Sequence, residues 1–421
     1  MPDMPAASSR VRTAEILTAL AALSLIAFPF FADQRWFDRH FLPSFFFTRD
    51  EYVRIELIVR ATAAIIGLSL LLLARRHVAR TLADHPDVIL TTALAVVLAF
   101  GATEIILRQK RMRAAEEVPP KKEPLRNLDG RLGWLFVPSH TGYQSNNGRR
   151  VQYVMDANGY RVRTPEDRVD FNAPAILFAG ESMMVGEKLL WRETIPALVG
   201  SRLGIQPVNI AVSGYATDQA YLRLASELPR FRNPVAVVML FSPSIFDRNL
   251  DDDRPHLDEH LALKPPADHW RLLALARRIV RYRSDETIER GVATTRELLR
   301  ATVRLARSRG AVALIVVPQF TPETPRERDL RRRILDAAKL PYVLVPLDPN
   351  ARVPDDGHPN AAATAVVADA VASRLYDALS LGTRYASRSL YEQNPTVRSR
   401  GDALGLQSHA GSSSSTPDGV D

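Results

Sequence analysis

A chain of 421 residues, 46% of them hydrophobic, has room for one large or two ordinary domains with a full core, which excludes a disordered protein. It contains no cysteine, which excludes a disulfide framework, a thiolate nucleophile and Cys-held zinc or iron–sulfur centres. The formal charge of +8 comes from arginines scattered over many segments, with no basic stripe interleaved with aromatics, so nucleic acid is not expected as a partner.

The N-terminal part differs in kind from the rest. Residues 16–32 carry no charge, and 88–103 are likewise uncharged and extend to Leu107 if Glu104 is tolerated near the end. Each approaches the roughly 20 residues that cross a bilayer. Residues 55–74 are long enough but contain Glu56 and Arg60, which must snorkel or pair near one interface; they count as a third span. Buried core helices are the alternative reading, but the run 68–73 and the cluster Phe45-Phe46-Phe47 near an expected interface argue for lipid. A removed signal peptide accounts only for the first span. The expectation is a membrane region over residues 1–107 with the lipid bilayer as its partner. Charge counting sets Arg10, Arg12, Arg75, Arg76 and Arg80 against Arg35, Arg39, Arg49, Arg54, Arg108, Lys110, Arg111 and Arg113, and so places the C-terminal domain in the cytoplasm.

Residues 108–128, with Pro119, Pro120 and Pro124 among charges, read as a solvated tether. Residues 132–138 and 151–155 look like short strands closed by the Asn158-Gly159 turn, forming an antiparallel apron before the main sheet. From Ala175 onward, strand-like segments at 175–179, 207–212, 234–241, 311–320 and 341–347 alternate with helix-like ones at 187–203, 218–228, 288–309, 324–340 and 360–379. This alternation predicts an α/β domain, a three-layer α/β/α sandwich with a mainly parallel, doubly wound sheet over residues 129–380. An insertion at about 247–287 interrupts it, and the polar stretch 381–421 reads as a disordered tail.

The most informative stretch is Ala175-Ile176-Leu177-Phe178-Ala179-Gly180-Glu181-Ser182, a buried-strand run that ends abruptly in Gly-Glu-Ser. Gly180 allows a sharp turn, which puts Ser182 at the carboxyl end of the sheet, where open α/β sheets bind ligands and a following helix offers N–H groups to a developing negative charge. The spacing from Gly180 to Gly186 does not fit a phosphate-binding P-loop, and Met184 breaks the Gly-x-Ser-x-Gly elbow of the α/β-hydrolases. Ser182 as a simple helix cap is the plainer alternative. A nucleophilic serine needs a base, and of the nine histidines His358, in Pro354-Asp355-Asp356-Gly357-His358-Pro359-Asn360, stands where one is expected, before the last helix. Either Asp355 or Asp356 could hold its other ring nitrogen from the same loop. A polar helix-capping turn is the alternative there.

The combination resembles the SGNH (GDSL-like) esterases and acyltransferases. Gly180-Glu181-Ser182 matches the first sequence block, Gly214 the second, and Asp355 with His358 the last. The resemblance implies Ser182 as nucleophile, His358 in a triad, and oxyanion N–H donors at Ser182 and Gly214. Leu132-Gly133-Trp134-Leu135-Phe136-Val137-Pro138 and Asn158-Gly159-Tyr160-Arg161 are similar to stretches found upstream in membrane-tethered bacterial members. In such members the preceding span often ends in Glu-x-x-x-Arg, as from Glu104 to Arg108, and the domain lies outside the cytoplasm; this overrules the charge count. Two features depart from the pattern. Glu181 replaces the usual Asp, and in the third block Phe246 stands where an oxyanion asparagine belongs, leaving Asn249 or Ser244 to supply that donor.

The cluster Asp251-Asp252-Asp253-Arg254-Pro255-His256-Leu257-Asp258-Glu259-His260 reads as a solvated or substrate-facing loop and not as a metal site. The overall expectation is a membrane-anchored serine esterase or O-acyltransferase without cofactor or metal, acting on small acyl esters such as acetyl groups of an envelope polysaccharide. The other class that fits is a catalytically impaired envelope protein keeping the fold as a binding or assembly module.

Overall fold

The computed structural model describes residues 4–42, 49–110, 122–146 and 148–393. Its larger compact unit is Met1–Val371. The N-terminal helices are α1 (Met4–Phe31), α2 (Gln34–His40), α3 (Arg49–Ser69), which passes through a wide turn into α4 (Arg75–Asp84), and α5 (Pro86–Gln109). Three stretches are long and apolar enough to cross a membrane: Val11–Phe31, Arg49–Thr81 and Thr91–Gln109. Leu17, Leu72 and Val97 on them are exposed. Glu56 and Arg60, the charges inside the apolar part of the middle stretch, both have partners in the protein. Gln34 donates to the Glu56 carboxylate, and Arg60 donates to the Pro29 carbonyl, one of the orphan acceptors at the end of α1, at 3.2 and 2.6 Å. The Phe45-Phe46-Phe47 cluster and the tether residues 111–121 lie outside the described residues.

The domain then runs β1 (Arg126–Asp129), β2 (Gly133–Phe136), β3 (His140–Asn146), β4 (Arg149–Met155), β5 (Arg161–Val162), β6 (Ala175–Ala179), α6 (Ser182–Val185), α7 (Ile195–Leu203), β7 (Gln206–Asn209), α8 (Thr217–Glu227), β8 (Pro234–Leu240) and α9 (Pro243–Asn249). After these come β9 (His256–Leu257), β10 (Leu263–Lys264), α10 (Arg271–Ile279), α11 (Asp285–Ser308), β11 (Val312–Gln319), α12 (Pro325–Arg331), β12 (Tyr342–Pro346) and α13 (Ala361–Gln393). The eight-stranded sheet has the order β12-β11-β8-β6-β7-β5-β4-β3. Its five strands β7-β6-β8-β11-β12 are parallel, as the apolar runs predict, and β6 is buried at every residue. Burying Ile176, Leu177 and Phe178 stabilises the domain by about 1.5–3 kcal/mol each.

Counted in chain order, the parallel strands lie 2-1-3-4-5. The connections leave β6 first to one side and then to the other, so the crevice for a ligand opens at the carboxyl end of β6.

The expected apron is divided. β2 pairs with β1 in a separate hairpin, whereas β3, β4 and β5 extend the main sheet antiparallel to it, joined through Arg161 opposite Asn209. The cause is the turn after β4, where the Asp156 carboxylate accepts the N–H of Asn158 and Tyr160 at 2.8 and 2.9 Å and returns the chain alongside β4. Another difference lies in the smaller unit, Ala372–Asp421, where α13 continues as helix to Gln393 into the stretch expected to be a disordered tail; residues 394–421 lie outside the described residues.

Candidate active site

Gly180 has φ of +154°, and a Cβ there would sit 2.9 Å from Leu240 Cβ, so only glycine lets the chain turn this close to β8. The helix that follows is one turn long, α6, closed by Gly186 in the left-handed region. The sequence reading expects helix from residue 187; the regular helix starts at Ile195, capped by Thr194. A helix dipole behind Ser182 is correspondingly small, and the site relies on individual donors.

Buried Arg161 holds the turn after α6. Its guanidinium donates to the carbonyls of Val185, Gly186 and Leu189 at 2.8, 2.7 and 2.6 Å and lies over the Tyr153 ring at 4.6 Å. Burial pushes its pKa down to about 10. This gives the Asn158-Gly159-Tyr160-Arg161 stretch a physical purpose, since Arg161 supplies the donors that a strained, non-helical turn lacks.

Ser182 and His358, separated by 176 positions, are brought together, with Ser182 Oγ 2.9 Å from His358 Nε2. On the other side of the ring, His358 Nδ1 is hydrogen-bonded to Asp356. Nδ1–H donating to Asp356 puts the ring's lone pair on Nε2, facing the serine hydroxyl. The two acids left open by sequence are thereby separated. Asp355 is exposed, with φ of +59°, and forms the corner of the turn, whereas Asp356 faces the ring and also has Lys188 Nζ at 3.6 Å. The loop is fixed by Val353 N–H donating to the His358 carbonyl at 2.6 Å and by Asn360, which caps α13 through Ala362 and Ala363 N–H at 3.0 and 3.1 Å.

Glu181 does more than its replacement of an aspartate suggests. It caps α6 through Met183 N–H at 3.2 Å, accepts a hydrogen bond from the Ser182 hydroxyl, and is met by Arg248 Nη1 at 3.2 Å. Burial pushes its pKa up, but Arg248, the Ser182 hydroxyl and His358 outweigh this and hold it below the usual carboxylate range. It is therefore an anion that competes with His358 for the serine proton. Burial lowers the His358 pKa, but the Asp356 hydrogen bond and the Glu187 carboxylate, 3.8 Å from Nε2, together raise it above its ordinary value near 6.5. The His358 bond holds Asp356 low.

Gly214 follows β7 with φ of +82°, and its missing Cβ leaves room for the Trp134 ring, which would otherwise stand 3.2 Å from it. Trp134 Nε1 donates to the Ser213 carbonyl at 3.0 Å and Tyr215 OH to the Trp134 carbonyl at 2.6 Å. The β1–β2 hairpin thus braces the Gly214 loop. Among the described residues no acceptor takes the N–H of Ser182 or of Gly214, so both are available to an oxyanion.

Asn249, expected as a candidate third donor, is not brought to the site. Its amide donates to Thr217 Oγ1 at 3.0 Å and Thr295 Oγ1 at 2.7 Å, its oxygen accepts Thr217 N–H at 2.8 Å, and it ties α8 to α11. The Ser244 side chain lies outside the described residues. Phe246 is fully buried, and Asp247 pairs with Arg283 at 3.1 Å. The residue of α9 that does reach the site is Arg248, whose Nη1 spans Glu181 and the Tyr215 carbonyl, each at 3.2 Å, and so links the two loops carrying the N–H donors. A search for an asparagine in the third block passes over it, and α9 being helical is what turns position 248 inward.

Of the histidines in the acidic cluster, His256 lies in β9 with Nδ1 against the Arg254 carbonyl at 2.9 Å, and His260 is exposed, so the two do not share a helical face. Asp252, Asp253 and His269 do bring donor atoms within 4.8 Å of one another, but Asp252 is already engaged by His269 at 2.9 Å and Arg277 at 3.3 Å.

No protein-family model and no curated protein matches the chain. Among solved structures it is similar to a carbohydrate acetylesterase from Sinorhizobium meliloti, at 11% identity and TM-score 0.31 over 48% of this chain and 99% of that one. It is also similar to the inhibitor-bound aryl esterase of M. smegmatis (15%, 0.30, 49% and 99%) and to an acetyl xylan esterase from the rumen bacterium Butyrivibrio proteoclasticus (11%, 0.33, 51% and 66%). In this chain the serine stands at the carboxyl end of the first parallel strand, a glycine loop follows the second and the histidine lies ahead of the last helix, the same order of blocks that the sequence resemblance to the SGNH family implies.

Proposed function

We propose that the chain is a membrane-anchored serine esterase or O-acyltransferase acting on small acyl esters, with acetyl groups of an envelope polysaccharide as the substrate class and the domain on the extracytoplasmic side. The observation that carries this reading is the unbroken relay from Ser182 Oγ through His358 to Asp356, beside two N–H groups that meet no acceptor among the described residues. In this reading His358 Nε2 takes the Ser182 proton as Oγ bonds to the acyl carbon. The carbonyl electron pair moves to the oxygen, against Ser182 and Gly214 N–H, and the alcohol leaves with the proton from His358. Water or a sugar hydroxyl then gives a proton to His358 and attacks the acyl carbon; the bond to Ser182 Oγ breaks, Oγ takes the proton back from His358, and the acid or the new ester leaves. Hydrolysis and transfer differ only in which acceptor arrives. Substrate class and side of the membrane rest on the family resemblance; a reporter fused after Leu381 and active only in the cytoplasm would reverse the orientation.

The raised pKa of His358 gives a pH prediction. The base must be neutral, so the acid limb of kcat/KM falls above the ordinary histidine value. Removing the negative charge beside Nε2 in Glu187→Gln lowers the histidine pKa, and the acid limb is expected to move to lower pH. A pH–rate profile of the variant with an unmoved or upshifted limb contradicts this assignment.

One observation favours the binding-module reading. Asn249 is engaged elsewhere and does not serve as the third oxyanion donor, and such a donor contributes about 2.7–4 kcal/mol of transition-state stabilisation. Asn249→Ala separates the two uses of that residue. The structure predicts a loss of about 1–3 kcal/mol in folding stability, seen by denaturant titration, with kcat reduced far less than a lost oxyanion donor requires. A kcat loss near the full oxyanion contribution with unchanged stability would return Asn249 to the site.

A further inference from the structure

In the insertion between α9 and α11, α10 meets the N-terminal helices at both of its ends. At the first, Glu104, near the end of α5, accepts the N–H of Arg271 at 2.9 Å and of Leu272 at 2.8 Å, the opening residues of α10. A carboxylate at this position answers orphan donors and the positive end of the helix, and here it is supplied by another helix. Arg108 holds the same carboxylate at 2.8 Å and reaches Asp268 at 3.7 Å. At the second end, Tyr282 stacks on His40 with centroids 5.2 Å apart and lies 6.0 Å from Trp36 and 5.8 Å from Phe41. Arg283 N–H donates to the His40 carbonyl at 2.9 Å, and Asp285 pairs with Arg39.

Connectivity places both ends at one level. If Val11–Phe31, Arg49–Thr81 and Thr91–Gln109 each cross a bilayer, the end of the first, the start of the second and the end of the third lie on the same side. Trp36 and His40 belong to the link between the first two, and Glu104 lies within the last turns of the third. The nine residues of α10, about 13 Å long, therefore run between two points at the same face of the membrane.

The helix is two-sided. Arg271 and Ala274 are buried against the protein, whereas Leu273 and Ala276 of the helix and the cap residues Trp270 and Val280 at its two ends are exposed. Trp270 is 67% exposed and Val280 56%, and Arg281 follows at the end. An uncovered apolar stripe headed by a tryptophan and followed by arginine has the composition of a segment lying in the headgroup–acyl boundary. The aromatic cluster at Tyr282 continues the same belt.

We propose that α10 is an interfacial helix whose Trp270, Leu273, Ala276 and Val280 face is immersed in the lipid headgroup–acyl boundary, so that the domain carrying Ser182 is seated on the membrane instead of hanging from a tether. The inference rests on the membrane-anchored reading of α1, α3 and α5, and on lipid as the occupant of the stripe.

The absence of cysteine makes the test direct, since one introduced cysteine carries one fluorophore. The full chain in phospholipid nanodiscs is labelled in Leu273→Cys and, separately, Val280→Cys, with Val97→Cys as a mid-span reference and Arg304→Cys on α11 as a domain-surface reference, each checked for an unchanged melting temperature. Nitroxide-bearing lipid is expected to quench the Leu273 and Val280 probes to within about twofold of the Val97 probe and several-fold more than the Arg304 probe, with the reverse order for aqueous iodide. Adding Glu104→Gln should raise iodide quenching at Leu273 by releasing α10. Probes at Leu273 and Val280 that respond to iodide like Arg304, while Val97 responds to lipid, overturn the proposal and leave the spans standing. Shielding from both quenchers means a protein partner covers the stripe and also overturns it. A Val97 probe unresponsive to lipid removes the membrane reading itself, while the Ser182 chemistry is tested separately.

Discussion

Replacing Ser182 or His358 by alanine is expected to lower acyl-ester turnover on the order of 10⁴- to 10⁶-fold, with the fold kept. The size follows from the way the relay works as a unit. Without Oγ there is no bond to the acyl carbon, and without Nε2, 2.9 Å away, the hydroxyl proton has no neutral base to receive it. Glu181, the other acceptor of that hydroxyl, does not substitute for His358. Arg248 and its other partners hold it below the usual carboxylate range, so it is a weak base, and it has no path to pass a proton to the leaving alcohol. Ser182→Ala removes one hydroxyl, and its melting curve should overlay the wild type; His358→Ala also opens a cavity and leaves Asp356 without its ring partner, so its melting temperature should fall while the fold, read by circular dichroism, is kept. A double variant should lose little more than either single one, because each already removes the whole relay. Residual turnover within tenfold of wild type in either variant, measured on an acetyl ester with purified protein, would remove the triad from the account.

The second large effect distinguishes neighbours in one loop. Asp356→Asn is expected to lower kcat by about 10⁴-fold, while Asp355→Asn stays near wild type. Asp356 holds Nδ1–H and so fixes the tautomer that leaves Nε2 unprotonated; an amide in its place can donate to Nδ1 and stabilise the opposite tautomer. Asp355, at the exposed corner with φ of +59°, contributes a conformation that asparagine adopts equally well. Steady-state kinetics of the two variants side by side decide the matter. Equal losses, or a larger loss for Asp355→Asn, would mean that the loop is arranged otherwise in the working enzyme.

The parallel strands were legible because strands buried on both faces must be continuous apolar runs, and 175–179 and 234–240 are that without interruption. Ser182 was legible for a related reason: such a run ending in glycine leaves few places for the next side chain. Sequence distance hid the rest. Asp355 and Asp356 differ only in which one the left-handed corner turns outward, a property of the turn's dihedral angles that composition does not carry. Asn249 fits the chemistry of an oxyanion donor but is drawn into Thr217 and Thr295, two residues from helices far along the chain. Arg248 escaped notice because that type is not sought in an oxyanion loop, and Trp134 was named only as part of the 132–138 stretch, without a role; both roles exist only once α9 and the β1–β2 hairpin are set against Gly214. The apron was misplaced for want of one carboxylate: Asp156 decides where the chain turns back.

The most direct test of the central claim is covalent labelling of the full-length wild-type chain with a fluorophosphonate, read by intact mass and peptide mapping. One adduct per chain is expected, on Ser182, formed with an acid limb set by His358 and absent from Ser182→Ala. No adduct on the folded wild type, or an adduct that persists in Ser182→Ala, would contradict it.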